Sequence, residues 1–446
     1  MMKKTIIIFI ITLWVMQLCA QNTSPAWTLS QCIRYAIQNN VKLQQIELSK
    51  ENKRVALNTS INSWLPSINA TIGQNIDVGR SPSKDGTIKD QSSSNSSFYI
   101  QTSMPLFEGL KIINEIKAHQ WNVLAAMENL NKAKEDVSVS VFTYYMQVLF
   151  KREIEIIALE QIRLCENQIK RTDILIENGR APKSQLYDME AQLAKDEVTL
   201  VNAKNDVALA LLDLMQAMNL VVAESAFDIV VPRTEEIVLY YLGNIFHPDQ
   251  IYYEAISFKP QIREQEYVLE SNLRSLAMAK SGFYPRLNLN ASYSNYYYRY
   301  TDFENIPFSD QWNQNARKTV GLTLSVPVFN RFQVRNNVRS AQIAITNQKL
   351  AIEDAHQTLY KEIRQAYANA IAAQEVYMAS QKSIESSYKA YQYAEESYNA
   401  GKISAYEYNE AKTKYIQSMS EQKRAMYDFI FRCKILDFYR GISIFL

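Results

Sequence analysis

Residues 286–294 read RLNLNASYS, and this stretch decides the fold. Its side chains alternate strictly: Leu287, Leu289, Ala291 and Tyr293 take one parity, and Asn288, Asn290, Ser292 and Ser294 take the other. A period of two is the signature of a β-strand that has two different environments. About ten residues of this kind also suit a tilted strand that crosses a bilayer as part of a barrel.

Three further segments repeat this alternation, and they form two pairs about 220 residues apart. We predict strands at 67–78, 97–105, 286–297 and 318–327. The predicted membrane-facing residues are Ile68, Ala70, Ile72, Phe98, Ile100, Leu287, Leu289, Tyr293, Leu322 and Leu324. Four strands cannot close a barrel, and a sheet in lipid cannot leave its edges unpaired. If these strands lie in a membrane, several copies must share one barrel.

Almost everything else in the chain reads as long helix. No glycine occurs between Leu110 and Asn178, and none occurs between Leu322 and Ala400. Prolines are also absent from 106–181 and after Pro327. Such stretches of about 68 residues predict helices that end at 178 and 400 and extend about 100 Å each, so we expect an elongated protein.

Further helices are predicted at 183–220 and 404–440, where apolar residues recur every seven positions. The first row is Leu186, Leu193, Leu200, Val207 and Leu214, beside a second row of Met189, Asp196, Ala203 and Ala210. The corresponding row near the C-terminus is looser: Tyr408, Tyr415, Gln422, Phe429 and Leu436. These seams predict antiparallel coiled-coil hairpins that turn at Gly179 and Gly401.

The chain therefore reads as a duplicated unit. Met104-Pro105-Leu106-Phe107 corresponds to Val326-Pro327-Val328-Phe329, and Gly179-Arg180 corresponds to Gly401-Lys402. We predict a signal peptide at 1–20, a first repeat at 21–220, a linking segment at 221–247, a second repeat at 248–440 and a tail at 441–446. Polar loops are expected between the strands, at 79–95 and 296–316.

Compartment and charge limit the function. Lys3 and Lys4 precede an apolar run that ends before Ala20, which is typical of a secretory signal; lipidation of Cys19 remains an alternative. The 48 basic and 46 acidic residues become 46 and 46 without the two signal lysines, so nothing favours nucleic-acid binding. Cys32, Cys165 and Cys433 form no disulfide framework, although a Cys32–Cys433 bridge stays open.

The sequence carries no catalytic motif and no phosphate-binding glycine loop. His119, His247 and His356 have no carboxylate or cysteine at metal-ligand spacing. We expect no enzyme activity, metal or cofactor. Shared membrane strands that continue into a hollow helical bundle describe a conduit, and the alternative is a periplasmic or surface coiled-coil scaffold without a pore.

The ordered set of features resembles the TolC-type outer-membrane efflux proteins. The resemblance rests on the duplicated helix–strand–strand–helix unit, the Pro-Leu-Phe and Pro-Val-Phe junctions, the glycine turns, and the opening Trp27-Thr28-Leu29-Ser30-Gln31-Cys32 followed by Tyr35-Ala36 and Asn39-Asn40. The tyrosine-rich and asparagine-rich composition is similar to members from Bacteroidetes-type bacteria. The fold it implies is mainly α with membrane β.

The resemblance implies a homotrimer in the outer membrane, with a 12-stranded barrel and a periplasmic α-barrel. It implies a periplasmic adaptor and an inner-membrane pump of the resistance-nodulation-division or ABC type as partners. The adaptor would contact the helical tips Gly179, Arg180, Ala181, Pro182, Lys183 and Ser184, and Gly401, Lys402, Ile403, Ser404, Ala405 and Tyr406. An acidic ring at the entrance would fall on Glu407 and Glu410.

Several assignments keep an alternative. Glu407 and Glu410 could be solvated helix residues, and Arg180 and Lys402 could simply favour the helix dipole. Tyr293, Tyr296, Tyr297, Tyr298 and Tyr300 could form an aromatic girdle at the membrane interface or could be loop aromatics that stack on sugars; the apolar parity favours the girdle for Tyr293 and Tyr297. Gln185 and Ile403 stand where the family has entrance-closing charges, so the gate is expected to differ.

Overall fold

A computed structural model describes residues 26–82, 86–179, 182–221, 227–300 and 304–444. The predicted signal peptide and Cys19 lie outside these residues, as do Arg180 and Ala181 of the first predicted tip.

The two halves of the chain contain the same order of elements, except that the second half has an additional short helix between its two strands. The first half consists of α1 (Leu29–Asn39), α2 (Val41–Asn62), β1 (Ser67–Pro82), β2 (Ile88–Phe107), α3 (Lys111–Glu177) and α4 (Ser184–Met218). After α5 (Thr234–Tyr241), the second half consists of α6 (Pro248–Ile256), α7 (Pro260–Ser281), β3 (Arg286–Tyr300), α8 (Phe308–Gln314), β4 (Arg317–Ser325), α9 (Gln333–Asn399) and α10 (Ala405–Tyr439). Corresponding helices have equal lengths: 22 residues in α2 and α7, 67 in α3 and α9, and 35 in α4 and α10.

Glycines end the two longest helices. Gly179 has a φ of +68° and Gly401 a φ of +71°, a region that glycine enters without steric cost. After α9, the Gly401 amide donates to the Tyr398 carbonyl and the Lys402 amide donates to the Ser397 carbonyl, both at 2.9 Å. This pair of bonds is a Schellman motif, which satisfies carbonyls that a helix end would otherwise leave open.

The four strands form one antiparallel sheet in the order β1-β2-β3-β4. The register shifts between Pro105 and Phe107, where a missing proline N–H weakens the ladder. β4 ends at Ser325, two residues before Pro327, which has no N–H to donate to the ladder.

The predicted strand bounds were too short in the first hairpin. β1 continues to Pro82 rather than 78, and β2 begins at Ile88 rather than 97, so most of the predicted loop 79–95 is strand. The backbone ladder holds this serine-rich part together, and side chains bridge it: Gln74 Nε2 donates to Ser94 Oγ at 2.6 Å, and Arg80 pairs with Asp90 at 3.2 Å. Polar side chains at an alternating position do not weaken backbone pairing, which the prediction overlooked.

Smaller differences occur elsewhere. β3 runs to Tyr300 instead of 297, and β4 spans Arg317–Ser325 instead of 318–327. The predicted loop 296–316 contains α8, and the predicted linker 221–247 contains α5. Each opening helix is interrupted once, at Asn40 and at 257–259.

Two units can be described separately. One comprises Met1–Glu47, Asn129–Ile262 and Ala355–Leu446, and the other comprises Leu48–Glu128 and Arg263–Asp354, which contains the sheet. The core of the first unit includes Phe142, Leu149 and Phe429.

Cys32 and Cys433 both lie in this core as free thiols, so the bridge that the sequence left open is not formed. Burial raises the pKa of each thiol to about 12. A neutral buried thiol packs as a small apolar side chain.

Candidate functional site: a two-faced sheet and two helical tips

One face of the sheet is apolar and open. Residues directly opposite each other in an antiparallel pair point to the same side, and the register pairs Ile72 with Phe98, Ile100 with Tyr293, and Leu289 with Leu322. It thereby brings all ten residues predicted to face the membrane onto a single face. Ile72 is 76% exposed and Leu322 is 65% exposed, an apolar exposure that marks a contact with lipid or another protein.

The opposite face carries hydroxyl and amide groups. It includes Asn69, Thr71, Asn75, Ser97, Tyr99, Gln101, Asn288, Asn290, Ser292, Ser294, Thr319 and Thr323. On the apolar face the same parity continues with polar side chains at Gln74, Ser94, Ser96, Asn295 and Lys318. The contrast between the two faces therefore extends across all four strands but not over their full length.

Aromatic side chains gather on the apolar face where β3 passes the end of β4. Helix α8 packs there, with Trp312 5.0 Å from Phe98 and Phe308 5.3 Å from Tyr297 between ring centroids. Tyr293 and Tyr297 lie on this face, as the girdle interpretation requires.

The neighbouring tyrosines lie on the other side. Tyr296, Tyr298 and Tyr300 lie on the polar face and belong to β3, so they are strand residues rather than loop aromatics. The rings of Tyr296 and Tyr298 are nearly parallel at 6.3 Å.

β4 pairs with β3 only as far as Ser294. Beyond that residue, three amide side chains cover the exposed edge of β3. Gln311 Oε1 accepts from the Tyr298 amide at 2.9 Å while its Nε2 donates to the Tyr298 carbonyl at 2.9 Å. Asn305 makes the same pair of bonds with Tyr300, at 2.7 and 2.8 Å, and Asn315 Nδ2 donates to the Tyr296 carbonyl at 2.6 Å. These amides stand in for a missing strand, which limits edge-to-edge pairing at this point.

Replacing Gln311 with alanine is expected to loosen this edge. The side chain is 7% exposed and makes two bonds to Tyr298, whose backbone groups would lose their partners at a cost of about 1–3 kcal/mol. Amide hydrogen exchange should accelerate at 296–300. Gln314→Ala, an exposed change in the same helix, is the matched control; equal exchange in both variants would contradict the edge-cap role.

The two outer edges of the sheet carry no strand among the described residues, because β1 pairs only with β2 and β4 only with β3. These edges belong to different strands. An assembly that pairs them must join β4 of one copy to β1 of the next.

At the tips, four helices meet in a cluster of tyrosines. Tyr398 stacks on Tyr408 at 5.2 Å, and Tyr391 stacks on Tyr415 at 5.4 Å. The Tyr398 hydroxyl lies 3.4 Å from Gln185 Oε1. Gln185 therefore contacts this cluster, and Ile403 packs against it.

Charged pairs reinforce the tips. Arg171 of α3 pairs with Glu395 of α9 at 2.9 Å near the surface. Asp196 of α4 pairs with Lys412 of α10 at 3.2 Å, and these side chains are only 2% and 4% exposed. Gln161 and Gln192 also donate to Asp196, at 2.6 and 2.7 Å. The polar interruption that the sequence showed in the seam is therefore a buried ion pair between the two hairpins.

The sequence did not identify the tyrosine cluster or Lys412 as a partner. A signal was present, because Tyr391 and Tyr398, and Tyr408 and Tyr415, are each seven residues apart. Heptad spacing assigns them to a seam, but it does not say which helix lies opposite.

Both predicted entrance acids have local partners. Ser404 and Glu407 form a capping box: the Ser404 amide donates to Glu407 Oε2 at 2.8 Å, and the Glu407 amide donates to Ser404 Oγ at 3.3 Å. The bonds that the Ser404 amide and the Ser404 hydroxyl donate to the carboxylate lower the pKa of Glu407. Glu410 pairs with Lys414 at 2.8 Å on the helix surface.

Among the residues described, none of the helices combines the length and apolarity that a membrane span requires.

Known proteins resemble this chain in sequence and in fold. A family model described as Outer membrane efflux protein matches residues 32–220 and 251–429. The curated relative "Outer membrane efflux protein BepC" from Brucella suis biovar 1 (strain 1330) is 21% identical over 354 residues, which cover 78% of this chain and 70% of BepC.

Solved structures agree on the fold. A crystal structure of CusC superimposes with a TM-score of 0.74 at 17% identity, covering 95% of this chain and 94% of that chain. The outer membrane protein VceC from Vibrio cholerae gives a TM-score of 0.73 at 12% identity, covering 93% and 96%.

A duplicated chain with a two-faced sheet and long helical hairpins defines the class of outer-membrane channel subunits. This chain belongs to the outer membrane efflux protein family. It is located in the outer membrane with its helical part in the periplasm, and it serves as the exit duct of an efflux system that includes a periplasmic adaptor and an inner-membrane pump. The comparisons support this duct and not the pore-free scaffold.

Proposed function

We propose that three copies of the chain each donate four strands to one closed 12-stranded barrel and conduct substrates passively, without catalysis. The observation that carries this proposal is the sheet, with one apolar face, one polar face and two open edges on different strands. Two copies would supply only eight strands, and the interior of an eight-stranded barrel is filled by its own side chains. Twelve strands leave room for a wet lumen.

The duplication supports the same arrangement. We propose that 21–220 and 248–440 are repeats of one unit, joined by 221–247. Equal lengths in three pairs of corresponding helices support this, as does a family match in two separate blocks. Two repeats per chain and three chains give six similar hairpins around one axis.

The assembly can be tested on the purified mature protein. We expect an unheated gel band at the trimer mass that shifts to the monomer on boiling, and stepwise conductance in a planar bilayer. A monomer that needs no detergent and does not conduct would overturn the proposal.

We further propose that the tips, residues 179–184 and 401–406, contact the adaptor, which links the duct to a pump of the resistance-nodulation-division or ABC type. Both glycine turns lie at helix ends, and no atom lies within 4 Å of a Cβ added to either glycine. These turns are thus accessible in the described chain, which supports their use as a contact surface.

Replacing Gly179 and Gly401 with valine is expected to impair adaptor coupling but not barrel assembly. A β-branched residue with φ near +70° costs about 1–3 kcal/mol at each turn, which would reshape the tips. Cells that carry the double variant should become sensitive to toxic compounds while the trimer band persists. Gly→Asn at both sites is the control, because asparagine tolerates this conformation; wild-type resistance in the valine variant would contradict the proposal.

Glu407 and Glu410 are proposed to add negative charge at the periplasmic entrance. The capping box lowers the pKa of Glu407, so its charge persists at a lower pH than that of an ordinary glutamate. Lys414 offsets part of the Glu410 charge. Glu407→Gln with Glu410→Gln should lower the permeability of cations relative to anions, and an unchanged ratio would assign both acids a purely local role.

A further inference from the structure

One cavity lies where α1 meets α3 and the segment that follows α10. Its volume is about 520 Å³, which falls within the range of about 300–1,000 Å³ that small-molecule sites occupy. All three lining segments belong to the first of the two units described above. The cavity is therefore built by a single copy of the chain.

Helix α1 supplies one apolar wall of this cavity. A capping box at Thr28 starts the helix, and Cys32 and Ala36 are both 0% exposed in the core. Successive residues are about 100° apart around a helix. Ile33 and Ile37 therefore lie beside the core face rather than on it, and both are half-buried and line the cavity.

The segment after α10 supplies a second apolar wall. The chain reverses there because the Gly441 amide donates to the Phe438 carbonyl at 3.1 Å and the Ile442 amide donates to the Asp437 carbonyl at 3.0 Å, which is a Schellman motif. Ile444 then returns to the core and is 6% exposed. Phe438, Ile442 and Ile444 all line the cavity.

The charged side chains of the lining are not balanced. They are Arg34 of α1 and Lys134 and Glu135 of α3. The Glu135 carboxylate already pairs at 3.0 Å with Lys259, which is 1% exposed. In the described part of the chain, neither Arg34 nor Lys134 has a carboxylate within ion-pair distance. Two positive charges at the cavity are therefore left without an acidic partner.

Apolar walls and unbalanced positive charge together define the chemistry of a ligand. A cleft with low-dielectric walls focuses the field of the charges that line it, so it attracts anions. An inorganic anion would satisfy the charges but would leave the apolar walls against water, and a neutral hydrocarbon would do the reverse. An amphipathic amine would add a third positive charge. The cavity therefore matches a small molecule that joins an apolar body to an anionic group.

We propose that this cavity binds a small amphipathic carboxylate, with its apolar body against Ile33, Ile37 and Phe438 and its carboxylate at Arg34 and Lys134. A guanidinium presents two parallel N–H groups to a carboxylate, which makes Arg34 the principal anchor. Arg34 is exposed and Lys134 is half-buried, so the carboxylate lies toward the mouth and the apolar body lies inside. Binding is reversible and does not depend on the proposed barrel.

A photoreactive fatty carboxylate tests the site directly. The purified protein in phosphatidylcholine nanodiscs is irradiated with dodecanoate that carries a diazirine, and the labelled peptides are identified by mass spectrometry. Label should concentrate in 30–38, 134–138 and 438–444 and should disappear with excess unlabelled dodecanoate. Dodecylammonium, which has the same chain and the opposite charge, should not compete.

Two variants separate the charge from the apolar body. Arg34→Gln with Lys134→Gln should lower the saturable label about tenfold or more, because it removes both charge-assisted hydrogen bonds. Lys42→Gln with Lys132→Gln, a pair of exposed changes outside the lining, is the matched control and should label as the wild type does. Ile37→Trp should abolish the label by filling the cavity, and circular dichroism checks that each variant is folded.

Several results would overturn the site. Label that is not saturable, or that is equal in the charge-removed and control variants, assigns the probe to non-specific apolar contact. Competition by phosphatidylglycerol vesicles as strong as that by dodecanoate assigns the cavity to a lipid headgroup instead. Label that appears only after removal of residues 445–446, which lie outside the described residues, assigns it to the chain itself. A monomer that binds the probe would overturn the duct and keep the site, so the two proposals fail separately.

Discussion

Replacing Leu322 with arginine is expected to remove the trimer from the outer membrane. Leu322 lies in the middle of β4, opposite Leu289 on the apolar face, and is 65% exposed. An arginine on the lipid face near the bilayer midplane costs about 2–4 kcal/mol, and each copy in the barrel would bear that cost. The amount of heat-modifiable trimer in outer-membrane fractions, and the free energy of folding into lipid vesicles, measure the effect.

The neighbouring residue supplies the matched control. Gly321 lies at the same depth on the polar face, and no atom lies within 4 Å of a Cβ added there. Gly321→Arg should therefore assemble nearly as the wild type does, while it shifts the conductance toward anions because it adds positive charge to the lumen. If the two variants lose trimer equally, the apolar face does not contact lipid and the barrel is wrong.

The contrast between these two residues was predictable from the sequence. A period of two assigns Gly321 and Leu322 to opposite faces without knowledge of their partners. The register adds that all four strands turn their apolar parity to one side, which alternation within single strands cannot establish. The long helices were equally readable, because glycine and proline are absent where α3 and α9 run.

Other features were not predicted, for physical reasons that differ. The N-terminal half of β2 is rich in serine, and serine gives no apolar alternation from which a strand can be predicted. Only the pairing with β1 shows that this half is extended. The amides of Asn305, Gln311 and Asn315 cover a strand edge through contacts that depend on the tertiary fold.

Asp196 was readable as a polar interruption, but its partner was not. Lys412 falls at the second seam position of the looser C-terminal heptad, in the row that Met419, Met426 and Cys433 continue. A lysine is normally solvated, and the spacing does not say which residue lies opposite it. Only the packing of α4 against α10 shows that the two charges are buried together. Asp196, which interrupts the apolar row of α4, therefore joins the two hairpins through its ion pair with Lys412.

Replacing Asp196 with alanine is expected to destabilise both tips strongly. It would leave the ammonium group of Lys412 buried without its carboxylate, and breaking a buried ion pair in this way costs about 3–5 kcal/mol. Local opening should become about a hundredfold more frequent or more. Hydrogen exchange of 185–200 and 405–415 in the trimer measures this directly.

The opposite deletion should be milder. In Lys412→Met the Asp196 carboxylate keeps its bonds from Gln161 and Gln192, so the exchange rate should rise less than in Asp196→Ala. The double variant Asp196→Leu with Lys412→Met should return to near the wild type, because well-packed apolar residues often replace a buried pair without loss. Glu410→Ala, which breaks the exposed pair with Lys414, is the control and should change little. If Asp196→Ala exchanges no faster than Glu410→Ala, water reaches the buried pair and it does not join the hairpins.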